Sequence, residues 1–214
     1  MRGSRTMRTT FHLVAAIALS GAAPAIAQDA DHADPDATAC ADKNGAEEIA
    51  ACTAWMQSGK LDDAETAKAL FIRGYAYFGQ KDFPRAIADF TQVIRLTPKD
   101  ANAFMGRANA YITEGDFVRA IADYDDVIRL DATMLYAFNN RAWAYYRLTK
   151  YARAVADYDE VIRRDPKNVQ GLYIRGLAEA KLGKAEASKA DIEAATAIDP
   201  HIADKIAKAT ASSR

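Results

Sequence analysis

The chain is poor in the residues that chemistry at a site usually demands. Its 214 residues include three histidines and two cysteines, little raw material for a metal held by imidazole and thiolate. No glycine-rich phosphate loop, Ser/His/Asp set or metal-ligand cluster occurs, so no active site and no cofactor are expected. No block of Lys and Arg stands out. The formal net charge is −1, from 28 basic and 29 acidic residues, so neither nucleic acid nor an anionic membrane is an expected partner. What the chain does have is apolar residues, 50% of the total, too many for a disordered chain and enough to build a core.

The first stretch stands apart. Arg2, Arg5 and Arg8 make a basic start, Phe11 to Leu19 is an apolar run, and Ala25-Ile26-Ala27 places small residues two apart. That order reads as a signal peptide over 1–27, cut after Ala27, and the run is too short to span a bilayer. Export to the periplasm or outside the cell is therefore expected, with no transmembrane segment after cleavage. Removal takes three of the basic residues and none of the acidic ones, bringing the net charge to about −4.

Beyond residue 66 the same chemistry returns every 34 residues, in blocks 67–100, 101–134, 135–168 and 169–202. Position 8 is small (Gly74, Ala108, Ala142, Gly176), and so is position 20 (Ala86, Ala120, Ala154, Ser188). Position 11 is Tyr77, Tyr111 and Tyr145 but Glu179 in the last block; position 24 is Phe90, Tyr124, Tyr158 and Ile192. Apolar residues at 4, 8 and 11 and again at 20, 24 and 27 follow helical spacing, one stripe on each of two helices. Asp82 and Asp116 suit the start of the second helix, where a carboxylate accepts backbone N–H bonds, and Pro84 suits its first turn. Pro98, Pro166 and Pro200 at position 32, with Ala132 in the second block, mark block ends.

These blocks resemble the tetratricopeptide repeat, a 34-residue helix–turn–helix unit with small residues at 8 and 20, Tyr at 11, an aromatic at 24 and Pro at 32. The resemblance implies an all-α fold, a right-handed α-solenoid of antiparallel helix pairs. The fourth block has lost its aromatics at 11, 17 and 24 (Glu179, Ala185, Ile192), as a terminal unit with a solvated face would. Residues 203–214 are expected to form a capping helix and tail, with Ile202 and Ile206 one turn apart.

Ahead of the repeats, 28–44 reads as a polar leader largely without order and 45–66 as a degenerate half-repeat. Two registers are open: a strict 34-residue step puts Cys40 and Cys52 at positions 8 and 20, and a loop four residues longer puts them at 12 and 24. In an exported chain two cysteines read as one disulfide, Cys40–Cys52.

Position 7 is Arg in every block (Arg73, Arg107, Arg141, Arg175), and position 23 is Asp (Asp89, Asp123, Asp157, Asp191). In a hairpin folded about position 15 the two stand at equal height, so structural ion pairs are expected, within a repeat or between neighbours.

The resemblance also implies a concave face lined by positions 2, 5, 6, 9, 12 and 13. Here these include Phe71, Tyr75, Phe78, Met105, Asn109, Ile112, Tyr136, Asn139, Asn140, Trp143, Tyr146, Arg147, Tyr173 and Lys181. Aromatic, Arg and Asn side chains there suit contacts to an extended segment. Phe71 and Tyr75 occupy positions where chaperone-binding relatives carry the Lys and Asn of a carboxylate clamp. The expectation is a non-enzymatic protein–protein interaction module of the cell envelope, binding a peptide or protein segment in that groove. A self-associating scaffold, a homo-oligomer without a dedicated peptide ligand, is the alternative.

Overall fold

The computed structural model describes residues 35–41 and 45–211; the expected signal peptide lies outside them. Among the described residues every regular element is a helix. In chain order these are α1 (Pro35–Ala41), α2 (Ala46–Gln57), α3 (Asp63–Gly79), α4 (Phe83–Leu96), α5 (Ala101–Glu114), α6 (Phe117–Leu130), α7 (Leu135–Arg147), α8 (Tyr151–Arg164), α9 (Val169–Lys181), α10 (Ala185–Ile198) and α11 (Ile202–Ala211). Helices α3 to α10 form four hairpins, one per 34-residue block, each packed on the next. The array is an α-solenoid of tetratricopeptide type.

Local chemistry sets the helix starts. Asp62 accepts from the Glu65 amide at 2.8 Å while the Glu65 carboxylate accepts from the Asp62 amide at 3.0 Å, a reciprocal cap on α3. Asp82 and Asp116 cap α4 and α6 by accepting from the amides of Arg85 and Arg119, and Pro84 stands in the first turn of α4. Each hairpin closes the same way, the amide of position 16 bonding the carbonyl of position 11: Asp82 to Tyr77, Asp116 to Tyr111, Lys150 to Tyr145 and Lys184 to Glu179, at 2.8–2.9 Å. Position 15 between them is left-handed in all four, with φ of 62° at Lys81, 81° at Gly115, 57° at Thr149 and 76° at Gly183. Glycine adopts that backbone freely, whereas lysine and threonine are strained there.

Small residues bring paired helices together. Ala86, Ala120 and Ala154 at position 20 are fully buried beside the position-24 rings of Phe90, Tyr124 and Tyr158. Val93, Val127 and Val161 at position 27 are buried below them. At the far end, Ile202 and Ile206 of α11 are buried with Leu172, Ile174 and Ala195. The last helix thus covers apolar surface of the fourth repeat.

The first unit departs from expectation. Residues 35–41, read from sequence as part of a leader largely without order, form α1, and α1 pairs with α2. The unit is therefore a helix pair that begins ahead of residue 45. The segment PDATACA carries no apolar stripe to announce it, but Cys40 is bonded to Cys52, with Cα atoms 4.6 Å apart. Both cysteines are buried with Trp55 and Ala69. A covalent anchor replaces the apolar face that a two-turn helix lacks.

The structure also settles the register. Arg107 bonds Thr91 of the preceding helix through Nη1, and Arg73 bonds Thr53 of α2 in the same manner, at 3.1 and 3.0 Å. Thr53 is therefore the counterpart of Thr91, 38 residues earlier, and Cys40 and Cys52 stand at positions 12 and 24. The four extra residues are not loop: they form the added first turn of α3.

Candidate functional site

The Arg–Asp pairs form the framework against which the concave side chains are set. In every repeat the guanidinium grips its own repeat's aspartate with two parallel bonds from Nε and Nη2. Distances are 2.8 and 2.8 Å for Arg73–Asp89, 2.8 and 2.7 Å for Arg107–Asp123 and for Arg141–Asp157, and 2.7 and 2.8 Å for Arg175–Asp191. The remaining Nη1 crosses to position 25 of the preceding unit: Thr53, Thr91, Asp125 and Asp159 in turn. One side chain thus does both jobs, closing its own hairpin and fixing the stacking on the last. Burial pushes the Asp123 and Asp157 carboxyls up, while the arginine bonds oppose it. The two-point geometry fits a carboxylate facing a guanidinium.

The position-24 ring decides which inward side chains stay open. Phe90 fills the space at Gly106, where a Cβ would stand 2.7 Å from its ring. Above it, Phe71 and Tyr75 make a small aromatic bed, with ring centroids of Phe71–Tyr75 at 4.9 Å and Tyr75–Phe90 at 5.0 Å. Tyr75 remains 39% exposed. One repeat on, Tyr124 is fully buried and its hydroxyl donates to Asn109 Oδ1 at 2.7 Å; Asn140 Nδ2 donates to the Tyr124 hydroxyl at 3.1 Å and reaches Asn109 Oδ1 at 3.3 Å. Asn109 and Asn140, expected to face a ligand, are buried in this internal network because the tyrosine hydroxyl needs both.

A third repeat repeats the ring and drops the partners. Tyr158 is fully buried, but position 9 is now Trp143 and position 6 of the next repeat is Ile174, so its hydroxyl makes no hydrogen bond. Asn139, also buried, donates weakly to Asn140 at 3.5 Å and leaves its Oδ1 unpartnered. Trp143, expected in the groove, is buried as well; it stacks on Tyr146 at 5.8 Å, and Arg147 lies over both Phe117 and Trp143, 4.7 and 5.4 Å from the ring centres. The Tyr136 hydroxyl is buried, and burial pushes its phenol to about 12 while the neighbouring Asn140 amide opposes the shift.

The concave candidates therefore divide. Phe71, Tyr75, Phe78, Met105, Ile112, Tyr136, Tyr146, Arg147 and Tyr173 keep part of their surface, Lys181 is exposed, and Asn109, Asn139, Asn140 and Trp143 are buried. Reading by position missed Phe90, Tyr124 and Phe117, which contact the inward side chains from the second helices, Phe90 against Phe71 and Tyr75, Tyr124 against Asn109 and Phe117 under Arg147. Their signal was present: positions 17 and 24 are aromatic in the first three blocks, Phe83, Phe117 and Tyr151, then Phe90, Tyr124 and Tyr158.

A family model for the tetratricopeptide repeat matches residues 59–98, 73–134 and 139–201. The chain belongs to the tetratricopeptide repeat family. Among solved structures it is similar to MamA, at 18% identity and a TM-score of 0.66 over 74% of this chain and 90% of that one. It is similar to YrrB, described as a tetratricopeptide protein with an unusual peptide-binding site, at 14% identity and a TM-score of 0.63 over 82% and 98%. It is also similar to the first tetratricopeptide domain of Spaghetti (RPAP3) bound to the HSP90 peptide SRMEEVD, at 25% identity and a TM-score of 0.54 over 57% and 97%. No curated protein matches.

Proposed function

We propose that the protein is a non-enzymatic interaction module of the cell envelope that holds an extended peptide or protein segment along its concave face. The observation that carries this reading is Tyr75, a large aromatic left 39% exposed on a bed of Phe71 and Phe90. A ring held edge-on by two others presents contact area at little entropic cost. Peptide capture by the RPAP3 domain, similar at 25% identity, supports an interaction role. The HSP90-type clamp is not carried over, because Phe71 and Tyr75 stand where its Lys and Asn would be. Inward positions 2, 5, 6, 9, 12 and 13 hold no acidic residue and three basic ones, Lys68, Arg147 and Lys181, and since Asn109, Asn139 and Asn140 are buried, aromatic and apolar contacts dominate. The envelope assignment rests on the basic, apolar and small-residue order of residues 1–27 and on one disulfide, Cys40–Cys52.

The test is capture from an envelope extract on immobilised protein, comparing wild type with Tyr75→Ser and Tyr173→Ser, which remove partly open rings and spare the buried network. Loss of the same captured species in both variants supports groove binding. Undiminished capture by both variants, or capture replaced by concentration-dependent self-association in sedimentation, refutes it.

A further inference from the structure

The fourth repeat differs from the other three on its outer face. In repeats 1 to 3 the arginine at position 19 lies over the tyrosine at position 11: Arg85 over Tyr77 and Arg119 over Tyr111 at 4.4 Å, and Arg153 over Tyr145 at 5.6 Å. In repeat 4 both members change at once. Position 11 is Glu179 and position 19 is Ala187. The hairpin itself is unchanged, with the Lys184–Glu179 turn bond and the Arg175–Asp191 pair in their usual places. A carboxylate therefore lies under the place that a guanidinium occupies in the other three repeats.

That carboxylate is not looked after from within. Glu179 is 8% exposed, and its Oε2 has no hydrogen-bond partner. The nearby cation Arg175 is committed, with Nε and Nη2 on Asp191 and Nη1 on Asp159. Lys184, also near, is exposed and forms no ion pair within 4 Å among the described residues. Asp191 and Asp159 add like charge close by. A buried carboxylate in such surroundings is costly unless a cation reaches it.

The rest of the face changes in the same sense. Position 26 is Gln92, Asp126 and Glu160 in the earlier repeats and position 29 is Arg95, Arg129 and Arg163, while α10 carries Ala194 and Ala197 there. Ala187, Ala190, Ala194 and Ala197 are all exposed on α10, a smooth strip on which another helix can lie closely. Leu182 and Ile198, 40% and 48% exposed, stand at its two ends.

We propose that the outer face of α10 is a second docking surface, distinct from the concave groove, for an apolar helical segment of another protein that presents one arginine. That arginine enters over Glu179 and supplies the guanidinium the repeat lacks, while the partner helix covers the alanine strip. An arginine fits better than a lysine because the place is one that a guanidinium fills in repeats 1 to 3, and a planar group can lie flat there while donating to the carboxylate.

Two alanine-rich helical peptides, identical except for a central Arg or Gln, are titrated into the whole protein, with the Glu179 side-chain carboxyl followed by carbon NMR. The Arg peptide is expected to bind at least tenfold more tightly, shifting the Glu179 carboxyl and the amides along α10. Glu179→Gln should erase the discrimination. Ala187→Arg, which restores what repeats 1 to 3 carry and so keeps the fold, should block binding by filling the place from within. Tyr75→Ser should leave binding unchanged, which separates this surface from the groove. Equal binding of the two peptides, no binding of either, or undiminished binding to Ala187→Arg overturns the proposal. So does concentration-dependent self-association abolished by Ala187→Arg, since the occupant would then be a second copy of this chain.

Discussion

The first unit and the four full repeats meet the same requirement by different bonds. A full repeat ties its two helices with a two-point Arg–Asp pair and ties itself to its predecessor with the third nitrogen. The first unit has Pro35 and Ala51 where the Arg and Asp would stand, and a Cys40–Cys52 bond instead. The difference follows from length. The helices of the full repeats, 13 to 17 residues long, hold their place by packing a full apolar stripe, and the ion pair sets their register. The seven residues of α1 bury less apolar surface, chiefly Cys40 and part of Ala37, and a covalent bond adds to their attachment.

Replacing one member of an interior pair should have the largest effect. Arg107→Ala leaves Asp123 buried and uncompensated and should cost about 3 kcal/mol in urea unfolding. A cost near that of an exposed pair would show that apolar packing alone holds these hairpins. Cys40→Ser with Cys52→Ser should cost about 2 kcal/mol with a different distribution. Amide exchange should quicken along α1 and the neighbouring turn while α5 to α9 keep their protection; loss spread over the whole array would break the distinction between the two kinds of tie.

Within the repeats, the paired tyrosines sharpen the contrast. Tyr124→Phe removes a hydroxyl bonded to Asn109 and Asn140 and should cost about 1–2 kcal/mol, whereas Tyr158→Phe, whose hydroxyl has no partner, should be neutral or slightly stabilising. Equal losses would mean that the third repeat satisfies its tyrosine in solution. Thr149→Gly relieves a left-handed threonine, φ 57°, and should raise stability by about 0.5–1 kcal/mol, with no such gain at Gly115→Ala.

The smallest effect belongs to the exposed surface. Arg163 and Arg164 hold the Glu160 carboxyl at about 2, below its ordinary 4.5. A lowered value in the folded state means stabilisation that is complete above the unfolded value and lost as pH falls from about 4.5 toward 2. An NMR titration should place the Glu160 midpoint near the lower figure, and Arg163→Ala with Arg164→Ala should return it toward the ordinary one; no movement would show the pairs absent in solution.

The repeats were legible in the sequence because their cause is periodic. Gly74, Ala108, Ala142 and Gly176 recur at a place where helices approach closely, and Arg and Asp recur at equal distance from the turn. Even so, equal height did not say whether each pair lay inside a repeat; the answer, that Nη1 also crosses to the neighbour, depends on a 16-residue offset that only packing fixes. The concave residues were less legible for a related reason. Asn109 and Asn140 look like groove residues by position, yet the ring at position 24 of the second repeat is a tyrosine whose hydroxyl draws both inward. Where that ring is Phe90, the side chain at position 9, Tyr75, stays open. Helix α1 was invisible for the opposite reason: its stability comes from a bond to a residue 12 positions away, not from its own pattern.

The Nη1 contacts all point one way, each from a later repeat to an earlier one. The array is therefore a directed chain: a repeat brings its own donor and finds its acceptor already made. Since a polypeptide is synthesised from its N-terminus, the acceptor always exists before the group that seeks it. Assembly can proceed one hairpin at a time, without waiting for sequence still to come.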